Sequence, residues 1–145
     1  MVPTLFGRIQ TRWFLLAVVG GVVTALVTPV LPAGGPLGQR YQATFLVLVT
    51  VAVLGTGWEI IYHFLMQWRW EKDWPTLFGL LTLVPEGILV GALAINDSIP
   101  RLPGPVPASA FIIHFLIVWI TVWAVANGPM RVPFIRWRFR GGRLV

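Results

Sequence analysis

Four long apolar runs divide the chain, over residues 13–32, 41–67, 75–94 and 108–126. Each reaches about the 20 residues that a helix needs to cross the hydrocarbon core of a bilayer. From Trp13 to Gln39 there is no charged residue at all. A basic start before an apolar run is also the mark of a cleaved signal peptide, whose core is roughly 7–15 residues. This run is longer and no small-x-small cleavage site follows it, so a retained helix is expected. Gly20, Gly21 and Ala25 give it a helix-packing face of small residues where another helix can approach closely, and Pro29 should loosen its last turn.

The breaks between runs have turn chemistry. Residues 33–40, AGGPLGQR, are rich in glycine and proline. Residues 68–74, WRWEKDW, form a short charged turn. Asp73 just before Pro75 suits a helix start, where acids favour the N-terminal dipole and proline fits the first turn. Residues 96–107 make a loop stiffened by four prolines.

The basic residues set the expected orientation. Nine of eleven lie in the two ends and the 68–74 turn: Arg8, Arg12, Arg69, Lys72, Arg131, Arg136, Arg138, Arg140 and Arg143. The remaining loops hold only Arg40 and Arg101. The positive-inside rule then predicts both termini in the cytoplasm. Trp13, Trp68, Trp70, Trp74, Trp123 and Trp137 fall near the same expected interface, where indole rings prefer to sit. The expected fold is all-α: a four-transmembrane-helix bundle of up-down topology with cytoplasmic N- and C-termini. It forms a single integral membrane domain over residues 1–145, with a basic tail at 131–145.

Composition agrees and narrows the options. The chain is 57% hydrophobic and only 11% charged, against about 25% charged in soluble domains, and its mean hydropathy is +0.79. No polar stretch is long enough for a separate soluble domain. The absence of cysteine removes disulfides, thiolate metal sites and cysteine nucleophiles. Ten of eleven basic residues are arginine, a coding bias that suggests a GC-rich bacterial genome. Together with the four expected spans, this makes a multi-pass protein of the cell (plasma) membrane the expectation.

Glu59 and Glu86 stand inside the second and third runs. A charge in hydrocarbon costs several kcal/mol, so it persists with a partner or a purpose. Counting about 1.5 Å per residue from the expected helix ends puts Glu59, Glu86 and His114 at similar depth. His63 lies one turn from Glu59 on the same face. Glu59, His63, Glu86 and His114 are therefore the candidate intramembrane polar cluster. Pro85 frees a backbone carbonyl beside Glu86, and kinked helices at such depth line sites.

Such a cluster has a structural reading, with hydrogen-bonded acids pinning neighbouring helices, and three chemical ones. Buried Glu and His can pass protons. They are ordinary zinc or iron ligands, although Glu59-x-x-x-His63 is not the Glu-x-x-His pattern of the di-iron bundles. They can also act as acid and base on a lipid-soluble substrate. Ser98 and Ser109 both lie near the 96–107 loop, so a serine nucleophile has no histidine and acid at hand. The residues name no particular cofactor.

The tail alternates arginine with aromatic and aliphatic residues. Beside a membrane helix this pattern reads as an anchor on anionic headgroups rather than a nucleic-acid site. Trp68, Trp70, Trp74, Arg136, Trp137, Arg138 and Arg140 are the candidate interfacial anchor. The expected function is a structural or accessory subunit of a larger membrane complex, or a homo-oligomer. A proton- or cation-coupled transporter using Glu59 and Glu86 is the alternative, and a membrane-embedded acid–base enzyme is the third. The expected partners are the lipid bilayer and other membrane subunits or further copies of the chain, and no nucleic acid.

Overall fold

The structure is a computed structural model that describes residues 4–68 and 76–145, with their side chains except that of Arg138. Among these residues every regular element is helical, and four helices are long and apolar enough to cross a membrane. They are α1, Leu5–Val30; α2, Leu37–Gln67; α3, Thr76–Ile95; and α4, Ala108–Arg131. A short helix, α5 (Ile135–Phe139), follows.

Helix α1 begins eight residues before the apolar run that announces it. Thr4 is its N-cap, and the Thr4 hydroxyl accepts a bond from the Gly7 N–H at 3.1 Å, which satisfies one of the free donors of the first turn. Residues 5–12, which precede the first apolar run, are helical and carry Arg8 and Arg12 into the bundle. Farther on, the helix widens into a π turn at Leu16–Gly20 and tightens into a 3₁₀ turn at Thr28–Val30, around Pro29. The π turn affects the register. In an unbroken α-helix of 3.6 residues per turn, Thr24 would sit about a third of a turn off the face of Arg12. The looser winding takes out part of that rotation, and both side chains face inward.

Helix α3 is interrupted at Thr82, between segments Thr76–Leu81 and Leu83–Ile95. Pro85 supplies the cause: it has no N–H for the carbonyl four residues back, on Leu81, and its ring crowds that carbonyl. The kink thus falls one turn before the proline.

The core is continuous through the bundle and includes Leu16, Val47, Val51, Val90, Phe111 and Phe115. Phe111 and Phe115 are stacked, 5.4 Å between centroids. They lie against Gly91 and Gly87 of α3, where a Cβ would come within 2.8 Å of either ring. Of the small-residue face expected on α1, only Gly20 is closely packed, with Leu48 and Val118 beside it. Gly21 has nothing within 4 Å of where its Cβ would be, and Ala25 contributes its carbonyl to the Tyr41 hydroxyl. Pairings along the helices run in order: Arg8 reaches Met66, Arg12 reaches Glu59, and Thr28 reaches Thr44. Outside, Val22, Leu26, Val53, Phe64, Ile88 and Ile120 are exposed. A surface this apolar all round is suited to lipid rather than water.

The chain beyond α4 turns back onto the start of α1. The Thr4 N–H donates to the Gly141 carbonyl at 2.8 Å, the Leu144 N–H to Gln10 Oε1 at 2.9 Å, and the Trp137 indole N–H to the Thr11 hydroxyl at 2.7 Å. Gly141 and Gly142 both have positive φ, the left-handed region open to glycine. Their backbone lies so close to Gly7 that no Cβ fits there.

Candidate functional site

Arg8 and Arg12 stand one turn apart on the same face of α1. Glu59 comes from α2, four residues beyond Gly55, and Glu86 comes from α3, one residue beyond Pro85. The four side chains form one network. Arg8 Nε donates to Glu59 Oε2 at 2.6 Å, and Arg12 Nε to Glu59 Oε1 at 3.0 Å. Arg12 Nη1 and Nη2 donate to Glu86 Oε2 and Oε1 at 2.8 and 2.7 Å, a two-pronged pairing of guanidinium and carboxylate. All four carboxylate oxygens are occupied, and the two positive charges cancel the two negative ones. The Glu86 side chain is 1% exposed, Arg12 9% and Glu59 12%. Arg12 lies over the Trp119 ring, 5.7 Å from its centroid. Its guanidinium fills the space above Gly55, where a Cβ would collide with it.

The expected cluster of Glu59, His63, Glu86 and His114 is not one group. The two glutamates meet through Arg12, and neither histidine joins them. His114 is buried, with Nε2 2.9 Å from the Thr24 hydroxyl. Thr28 continues this second polar set, donating to the Thr24 carbonyl at 2.6 Å or pairing with the Thr44 hydroxyl at 2.8 Å. Thr24 is twelve residues along α1 from Arg12, roughly 18 Å at 1.5 Å per residue. Among the described residues His63 pairs with its helix neighbour Gln67, at 3.5 Å. Among the described residues no three His, Asp or Glu side chains come together as a metal centre requires. The donor set imagined from the sequence is therefore not assembled.

The network forms part of one wall of a cleft of about 480 Å³. Arg8, Arg12, Glu59 and Tyr62 face it from α1 and α2; Trp119, Trp123 and Arg131 face it from α4; and Trp137 closes it from the tail. The candidate interfacial anchor is thus divided. Trp137 is turned onto the protein through its bond to Thr11, while Trp68 is 79% exposed and Arg136 and Arg140 are exposed. Trp70, Trp74 and the side chain of Arg138 lie outside the described residues.

Arg8 and Arg12 are the residues that sequence reasoning missed. The available signal was their four-residue spacing directly before the first apolar run, and their number, which equals that of the two buried acids. Comparison with protein-family models, with curated proteins and with solved structures finds no match for this chain.

Proposed function

We propose that this chain is a scaffold: a small polytopic protein of a bacterial plasma membrane that acts as a structural or accessory subunit of a larger membrane complex, or as a homo-oligomer. The observation that carries this reading is the saturation of both buried carboxylates by arginine. An acid that carries protons or cations must release its partner and change charge during its cycle. Here every carboxylate oxygen accepts an arginine N–H and the set is neutral, which suits a device that locks three helices together. An up-down topology with both termini cytoplasmic accords with the order of the helix pairings, with the meeting of the two chain ends, and with the positive-inside bias.

Two measurements test it. Affinity purification from native membranes in a mild detergent should return companion subunits in fixed stoichiometry, or a homo-oligomer of defined size. Reconstituted into liposomes under an imposed pH gradient, the protein should pass no more protons than empty vesicles. Proton or cation flux abolished by Glu59→Gln or Glu86→Gln would replace the scaffold with the transport reading.

A further inference from the structure

The arginine network is neutral, yet among the described residues the cleft beside it is not. Arg131, on the α4 wall, has no carboxylate partner among the described residues; its Nη2 donates to the Asn127 side-chain oxygen at 2.9 Å. Among the described residues, counting the cleft's arginines Arg8, Arg12 and Arg131 against Glu59 and the adjoining Glu86 leaves one positive charge unmatched. Arg8 is also underused as a donor. Of its five N–H groups, Nε serves Glu59, and among the described residues Nη1 has a long contact of 3.9 Å to the Met66 sulfur. Trp119, Trp123 and Trp137 supply indole walls, beside aliphatic residues such as Leu15, Leu16 and Val122. Two of those indoles have already spent their N–H: Trp123 on the Thr76 carbonyl and Trp137 on Thr11. They offer ring faces and no free donors.

A cleft with spare guanidinium donors, surplus positive charge and indole walls fits a ligand with an anionic head and an apolar body. We infer that it holds the phosphate headgroup of an anionic phospholipid, with the first part of the acyl chains against the indoles. Guanidinium forks match phosphate oxygens in pairs, and basic pockets between membrane helices take anionic headgroups. The site differs from a loose attraction of the basic tail to the membrane surface, because it selects one lipid molecule at one place. It does not depend on the scaffold role, and either can fail without the other.

Native mass spectrometry of the delipidated full-length protein tests the site. The protein is titrated with phosphatidylglycerol, and separately with phosphatidylcholine of the same acyl chains. One phosphatidylglycerol should be retained in clear preference. Arg131→Gln should weaken that binding about fivefold, the effect of roughly one basic contact. Arg8→Lys keeps the charge beside Glu59 but loses the fork, and should weaken it as well. Arg101→Gln, outside the cleft, should leave it unchanged. Equal retention of the two lipids would overturn the proposal. So would an Arg131→Gln variant that elutes as a normal monodisperse peak and binds like Arg101→Gln. Displacement of the lipid by millimolar inorganic phosphate would assign the cleft to a free anion instead.

Discussion

Replacing Arg12 by glutamine should be among the costliest single changes in this chain, and its cost should depend on pH. The substitution removes three bonds to two carboxylates, of 2.7, 2.8 and 3.0 Å. Glu59 keeps Arg8, so its loss is partial. Glu86 loses both of the bonds it makes through its carboxylate and is 1% exposed. Breaking a buried pair from one side costs about 3–5 kcal/mol, because the remaining charge has no compensation. A second route limits that figure. Glu86 can escape by taking up a proton, which from a reference value near 4.3 costs about 3.7 kcal/mol at pH 7 but only about 1 at pH 5. The two limits agree on a loss of about 4 kcal/mol at pH 7. The sign of the pH dependence follows from proton counting. In the variant, the folded state binds a proton at Glu86 that the unfolded state lacks at pH 7, so stability rises as pH falls. About two-thirds of the loss should be recovered at pH 5. Reversible unfolding in mixed micelles, followed by tryptophan fluorescence at both pH values, reads this directly. Arg8→Gln should cost less, about 1–2 kcal/mol, because Glu59 keeps Arg12 and the Arg8 side chain is 19% exposed. An Arg12→Gln loss below about 1 kcal/mol at pH 7, or an equal loss at pH 5, would refute the reasoning.

Gly55→Ala places a methyl group where the Arg12 guanidinium now sits and should cost about 1–3 kcal/mol by overpacking; in the Arg12→Gln background the same change should be close to neutral, which a double-mutant cycle measures. Thr24→Val leaves His114 Nε2 without its partner and should cost about 1–3 kcal/mol, whereas Thr24→Ser should retain most of the stability in the same unfolding assay.

The four spans were legible because the length of an apolar run is a local property that hydrocarbon thickness reads directly. Glu59 and Glu86 were legible as anomalies, since a charge in such a run demands an explanation. Their partners were not. Arg8 and Arg12 precede the first apolar run, and a hydropathy pattern cannot distinguish an arginine that flanks a helix from one inside it whose charge is matched by a helix distant in sequence. The pairing of His114 with Glu86 fails for a different reason. The regular α-helix of α4 ends at Asn127, one residue past the expected end, and Phe115 beside His114 packs on Gly87 beside Glu86, so the two groups do lie at similar depth. Depth is only one coordinate, and His114 faces Thr24 instead. The π turn at Leu16–Gly20 rotates the second half of α1 relative to the first, and a regular helical wheel cannot anticipate it. The tail misled in part because its aromatic and basic pattern suits lipid and protein surfaces equally. The pair Gly141-Gly142, which lets it fold back over Gly7, carries no hydrophobic signal.

Charge inside an apolar bundle has a specific physical use here. Lipid chains are as apolar as leucine, so burying apolar side chains between helices gives little drive to associate in a membrane; packing and polar contacts must choose the arrangement. A buried ion pair adds little net stability compared with well-packed apolar residues. What it supplies is discrimination among alternatives. Arg12 must reach α2 and α3 at once, and its two-pronged contact with Glu86 fixes the angle of approach as well as the distance. Sliding α1 by one turn, about 5.4 Å, would part these groups and leave charges facing hydrocarbon. The same slide would part Thr24 from His114 and Thr28 from Thr44. Two polar sets roughly 18 Å apart on one helix therefore act as two pins. Together they hold both the height and the rotation of α1, which neither could do alone and which the smooth apolar surface between them cannot do.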